Sequence, residues 1–390
     1  MSEFSGFGPL GAYAGAAASG AGVRVASVIF AAANSEAADK ASADIVCTGT
    51  YANVDNDGAT IQDGLDAAVL ATPSGAITAL FLPGIYLMGG DINLNSDNSH
   101  IIGCDGTEFH QYHRSEINIK GLYSSISGVL VTGAIGDAFV GSPRDLAALG
   151  SGYGYNYEGI AAAVFNYGDY GVIADCSLRG QDSLGDLQYG VALEGVMCKA
   201  YRNYVKSSHN PINLDGAHSL AVENEVHLNG PIYSSGTGQV VASNTIFGGT
   251  TGTANPFPDH GNGVSNYGAN LIADNVAHAC DYGISTVGSA LIVGNVVGDS
   301  TGKGVFLSRV VDCLVAGNLI SDSVLEGIDA SGHSNSIHSN LVRGALVGLS
   351  IGSGFAGGFD TFVSHNDLLD NTTGYTDAGA ATITGQANRV

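Results

Sequence analysis

Glu194 and Asp215 are the two residues whose type and spacing best suit bond-breaking chemistry. Each precedes a glycine and closes a short strand of alternating apolar residues, in GVALEG and INLDG, and the two lie 21 residues apart. If that interval is one coil of a stacked fold, neighbouring strands sit about 4.8 Å apart and the two side chains are neighbours on one face. Their carboxyl groups then lie roughly 5–8 Å apart. Paired carboxylates in glycoside hydrolysis stand about 5–5.5 Å apart for retention and about 6.5–9.5 Å for inversion. Two like charges this close raise the proton affinity of one partner, as a general acid requires. The expected chemistry is glycoside hydrolysis with Glu194 and Asp215 as the catalytic pair. It requires no cofactor, although exposed carboxylates on adjacent rungs could also hold Ca²⁺ or simply be solvated.

Other residues fit around this pair. Asn213, Tyr233 and Tyr267 continue the same outward face, and aromatic rings suit the apolar faces of sugars. Only 13 residues of the chain are Lys or Arg, yet Lys199, Arg202 and Lys206 fall within eight positions. They are expected around a corner from the carboxylates, with Glu223 and Glu225 one coil later as ion-pair partners. The alternative is lyase chemistry, in which Lys, His or Tyr removes a proton beside a uronate carboxylate and a cation stabilises the enolate. His209, His218, Tyr201 and Tyr204 are the nearby candidates for it. Two Gly-rich loops could wall the site: SGYGYNYEG (151–159) brings Tyr155 and Tyr157, and GGTTGTANPFPDHGNG (248–263) brings Asp259 and His260. EFHQYHRSE (108–116) carries His110, His113 and Arg114, but HxxH in this setting does not define a metal site.

The repeat that positions these residues is read from asparagine. AYRNYV, AVENEV, VASNTI, IADNVA, IVGNVV, VAGNLI, IHSNLV and VSHNDL place Asn203, Asn224, Asn244, Asn275, Asn295, Asn318, Asn340 and Asn366 at intervals of 21, 20, 31, 20, 23, 22 and 26 residues. Each follows a short apolar strand, and each unit holds a second strand such as GVFLS or GLSIG. These runs are too short for helices and alternate with period two. Such units describe coils of a parallel β-solenoid, with stacked asparagines repeating one tight turn. The 31-residue interval marks a loop insertion at 248–263. In the strand after the glycine, alternate residues face out. The outward pairs run Ala192/Glu194, Asn213/Asp215, Tyr233/Ser235, Ser265/Tyr267, Ser285/Val287, Phe306/Ser308 and Asp329/Ser331.

An open solenoid end needs a cover. DNDGATIQDGLDAAVL (55–70) reads as a cap helix, with Ile61, Leu65 and Val69 on one face after Asp57 and Gly58. ITALFLPGIYLMGG (77–90) follows as two strands around a Pro-Gly turn. Here the chain resembles the pectate-lyase-like single-stranded right-handed parallel β-helix family, closest in type to bacteriophage tailspike and surface β-helix domains. ADIVCTGT, ATIQDGLDAA and LFLPGIYLMGG carry the resemblance, which covers roughly residues 43–370. It implies an all-β right-handed parallel β-helix. It also implies a function among polysaccharide lyases, glycoside hydrolases, sugar epimerases and non-catalytic glycan-binding adhesins or virion structural proteins, with a homotrimer as one assembly. The expected organisation is a flexible Gly/Ala-rich segment (1–22), a strand and cap helix (23–76) and the β-helix (77–390).

Composition bounds the partners. The chain has 36 acidic and 13 basic residues, a formal charge of −23, 58 glycines and 8 prolines. That field repels nucleic acid and anionic membranes, and it disfavours a polyuronate unless cations or the local basic patch intervene. The expected partner is therefore a polysaccharide or cell-surface glycan, with hydrolysis ranked above elimination. No apolar run reaches membrane-spanning length, and MSEFSGFGPLGAYAGAAASG lacks the basic start and apolar core of a secretory signal. A virion or extracellular surface location is expected. The six scattered cysteines are expected as buried thiols.

Overall fold

In the computed structural model of the protein, the described residues are 26–49, 56–111, 115–132, 162–179, 187–206, 208–227, 230–248, 261–352, 360–378, 383–384 and 388–389. Short strands wind into a right-handed parallel β-solenoid of about ten turns. Three sheets of 15, 11 and 12 strands form its sides. One coil shows the plan. Lys199–Tyr201 belongs to the first sheet, Tyr204–Lys206 to the second and Ser208–Leu214 to the third, and Leu220–Val222 then returns to the first.

Period-two alternation decides what lies inside. Val191 and Leu193, Ile212 and Leu214, Ile232, Val264, Ile284, and Val305 and Leu307 stack in register and are fully buried. A slip of one residue would turn that set outward, so burial locks the register.

The asparagine repeat is one continuous ladder. Each asparagine donates its backbone N–H and its Nδ2 to the Oδ1 of the next, from Asn203 to Asn224 at 3.0 Å onward to Asn340 and Asn366. Asn388 adds a ninth rung, and Cys176 stands in the rung before Asn203, its N–H bonded to Asn203 Oδ1 at 3.1 Å. The residue before each asparagine adopts positive φ, as at Arg202 (51°), Glu223 (56°), Ser243 (55°) and Asp274 (54°). Left-handed backbone costs about 1–2 kcal/mol per non-glycine residue. The buried amide ladder offsets it by pairing every polar group at the corner.

A second column closes the turn that leaves the third sheet. A Cβ on Gly216 would stand 1.8 Å from the carbonyl oxygen of Gly195 one coil before. Only glycine permits that approach. The residue before each such glycine is thereby held at the sheet's edge, and Glu194 and Asp215 are two of them.

Helix α1 (Ala37–Ser42) precedes α2 (Asn56–Ala71), the cap. Ile61 and Leu65 are buried, Val69 packs against the core and Leu70 is exposed. Beneath the cap Phe30 stacks on Phe81 at 4.6 Å, and Tyr86 and Phe109 meet Phe81 edge-on. Asp57 does not merely start the helix. Its buried carboxylate accepts from the N–H groups of Gly49 (2.6 Å) and Leu87 (2.8 Å), tying the cap to the first coils.

All six cysteines are free; Cys104 is half-buried and the other five are buried. Burial pushes the thiols of Cys176 and Cys280 up to about 12.

Candidate active site on the third sheet

The register of the third sheet sets the site. Leu193 pairs with Leu214, so the residues that follow, Glu194 and Asp215, occupy adjacent rungs at the same edge. Both are exposed. Asp215 accepts a hydrogen bond from Asn213 Nδ2 at 2.7 Å on one oxygen and a short one from Ser235 Oγ on the other. Glu194 holds its proton above the ordinary glutamate range, first because it is partly desolvated and second because of the charge on Asp215. One carboxyl is therefore fixed as an acceptor while its neighbour is biased toward the acid form.

Asn213 is only 5% exposed, and its Oδ1 is buried without a hydrogen-bond partner among the described residues. Such orphan acceptors are rare in folded proteins and call for an explanation. It lies in the column between the core and the carboxylates, with Phe165, Ala192, Tyr233 and Ser265.

Aromatic pairs bracket the carboxylates. On one side Phe165 stacks on Tyr167 with centroids 5.2 Å apart at 12°, and Tyr167 is exposed on the rung beside Glu194. On the other, Tyr233 and Tyr267 meet at 5.0 Å and 35°. The phenol of Tyr167 is pushed up to about 12 by desolvation and by the charges of Glu194, Glu116 and Asp91. From Tyr167 to Tyr267 the edge column runs five rungs, four steps of the usual strand spacing or roughly 19 Å.

Other expected residues stand elsewhere. Lys199 opens the next strand of the first sheet, exposed and around a corner from the pair. Arg202 does not pair with Glu223 one coil on. Its guanidinium reaches back to Asp175 with bonds of 2.7 and 2.8 Å and lies 4.2 Å over the Tyr201 ring. Asp175, Arg202 and Glu223 share one left-handed corner column, so either neighbour offers a carboxylate and the side-chain rotamer selects the earlier one. Glu225 pairs with His227 at 2.5 Å. His218, at φ 57° in the turn after Asp215, lays its ring over Gly238 of the next coil. Tyr155, Tyr157, Asp259 and His260 lie outside the described residues.

The outward alternation holds through the sheet, but outward does not mean exposed. Ala192, Asn213, Ser265, Asp329 and Ser331 are all buried. Asp329, expected on an open face, is instead fully buried in an ion pair with Lys303. Lys303 also lies 3.6 Å from Glu326 and 4.3 Å over the Phe306 ring, and Phe306 meets Tyr282 at 5.4 Å. Neither this cluster nor the Phe165–Tyr167 pair was anticipated. The second had a signal, since FNYG repeats the strand-then-glycine pattern of ALEG and NLDG.

A sequence profile described as periplasmic copper-binding protein (NosD) matches residues 188–384. A comparison with curated protein sequences finds no match. Among solved structures, the chain is similar to the Dettilon tailspike protein, at 14% identity and a TM-score of 0.60 over 86% of this chain and 66% of that one. It is similar to the catalytic unit of a GH87 α-1,3-glucanase from Streptomyces thermodiastaticus, at 14% identity and 0.55 over 83% of this chain and 65% of that one. It is also similar to the A-module of an Azotobacter vinelandii mannuronan C-5 epimerase, at 13% identity and 0.51 over 85% and 96%. The chain thus spans just under two thirds of the tailspike and glucanase chains. At these identities the likeness concerns the fold.

A copper centre needs several imidazole, thiolate or thioether donors gathered around one point. Among the described residues no three His, Cys, Asp or Glu side chains gather as a metal site. His110, His227 and His278 are each committed to one carboxylate, Glu108, Glu225 and Asp299. The buried thiols are held protonated, whereas a metal needs the thiolate. These residues do not fit a copper centre.

Proposed function

The chain belongs to the NosD family of parallel β-helix proteins, and from that premise we propose that it binds a polysaccharide along its third sheet and cleaves it by glycoside hydrolysis. The adjacent-rung pair Glu194–Asp215 carries this reading. Glu194, its proton affinity raised by partial desolvation and by the charge on Asp215, donates a proton to the departing glycosidic oxygen. Asp215, oriented by Asn213 and Ser235, acts on the opposite side as nucleophile or as base toward water. Asn213 holds Asp215 in place, and the two aromatic pairs give sugar rings their platforms. Two of the similar structures are named for enzymes of glycans, an α-1,3-glucanase and a mannuronan epimerase, which supports this ligand class. The reading requires no metal. Its setting is a periplasmic, extracellular or virion surface.

Electrostatics favours a neutral glycan over a polyuronate. Glu194 and Asp215 stand at this edge, Glu116 and Asp91 add negative charge felt by Tyr167, and a phenol held near 12 is a poor base for elimination. The test is product release from a panel of neutral and uronate polysaccharides. New reducing ends from a neutral glycan, without the ultraviolet absorbance of an unsaturated uronate, are expected. Absorbance gain on a uronate would replace hydrolysis by elimination. Binding without any product would make the protein an adhesin.

A further inference from the structure

The outer face of the first sheet differs from the rest of the surface. Its leading column runs Leu220, Val240, Leu271, Leu291 and Leu314 on five successive rungs. The column two residues on, from Val222 to Ala316, holds only Val and Ala. Around the asparagine corner the apolar surface continues past Gly294 and Gly317 to Val296 and Leu319, and Val276 lies beyond Asp274 on the rung before, each of the three 39–40% exposed. Polar residues bound the face, with Lys199 and Tyr201 at one end and Ser336 and His338 at the other. A solvated sheet face normally alternates apolar-in with polar-out. Here both sides of the strands are apolar.

We propose that this face is a self-association surface, on which a second copy of the chain packs through the same columns. Area and charge select that occupant. Five rungs at about 4.8 Å, spanning one three-residue strand and the corner beyond it, give roughly 500 Å² per copy. Two such faces reach about 1,000 Å², the lower bound for a specific interface and more than a monomer usually leaves open. The chain carries a charge of −23, yet the two columns hold no charged side chain on these rungs, and the acids beside them, Glu223 and Asp274, stand at the corner of only two of the five. A basic partner would seek the acidic faces. A second acidic copy can approach closely only where charge is missing. Evenly spaced columns of one kind are also self-complementary about a two-fold axis, as an isologous contact needs.

Long-range repulsion between copies opposes the contact and is screened by salt, with a Debye length of about 30 Å at 0.01 M and about 10 Å at 0.1 M. Association should therefore tighten as salt rises. The experiment is the solution mass of the whole chain by light scattering and sedimentation, across concentration and at low and high salt. The expected result is a mass of at least twice 39.4 kDa at high concentration, favoured by salt. Leu291→Glu and, separately, Val296→Glu should move the midpoint upward by about tenfold or more in concentration. Both side chains already face solvent in the single chain, so circular dichroism and melting should stay near wild type. Val324→Glu, on a turn away from this face and 61% exposed, should change nothing. A monomer at every concentration and salt, or an oligomer unaffected by both substitutions, would overturn the proposal.

Discussion

Glu194 and Asp215 stand on adjacent rungs of the third sheet, and partial desolvation together with the charge on Asp215 raises the proton affinity of Glu194. Stacking alone creates this coupling. Parallel strands in register bring any two residues one coil apart to about 4.8 Å, and the glycine after each fixes where on the edge they stand.

The coupling has a pH signature in stability. The folded chain binds the Glu194 proton more tightly than the unfolded chain, so this group's contribution is complete below the ordinary glutamate pKa. It is lost as pH rises through the raised value. Glu194→Gln should therefore gain in melting temperature relative to wild type as pH increases through that window. A pH-independent difference would deny the shift. In catalysis the same group should set the basic limb, with rate falling as pH rises through its pKa.

Replacing Gly216 by Ala should damage both fold and site. The new methyl would press on the Gly195 carbonyl between the two carboxylates. A loss of about 3 kcal/mol is expected, measured by denaturant unfolding, and any folded product should have weakened activity. Wild-type stability would show that the turn relaxes freely.

Asn275 tests the ladder. It accepts two bonds from Asn244 and donates to Asn295 and to the Val241 carbonyl, all near 3 Å and all buried. Asn275→Ala should cost about 3 kcal/mol, since buried donors and acceptors lose partners together. Asn388, at the ladder's half-buried end, should tolerate the same change with a cost nearer 1 kcal/mol. Equal costs would contradict a cooperative ladder.

The ion pair of Lys303 and Asp329 predicts a non-additive cycle. Lys303→Met leaves a fully buried carboxylate without its cation, at about 3–5 kcal/mol, whereas Lys303→Met with Asp329→Leu should recover most of that loss. Additive costs would show that the buried charge is satisfied by other means.

Much of the architecture was legible because repetition enforces it. Eight asparagines and the glycine after most third-sheet strands marked the corners, and alternation set the register that joins Glu194 to Asp215. What escaped depends on rotamers and on departures from the repeat. Arg202 had a carboxylate one coil before it and another one coil after. Nothing in the spacing chose Asp175 over Glu223. Phe165 and Tyr167 lay before the first asparagine, where Cys176 occupies the ladder position. Asp329 read as exposed because alternation tells which way a side chain points, not what covers it. The apolar first sheet was visible as Leu and Val but needed the coil geometry to become one surface.

The central claim is tested most directly on whichever neutral glycan the wild type cleaves. Cleavage and binding of that glycan should be compared in wild type, Glu194→Gln and Asp215→Asn. The account predicts that both variants still bind it within about tenfold of wild type and lose at least about a hundredfold in rate. Undiminished cleavage by either variant would contradict the assignment of this pair.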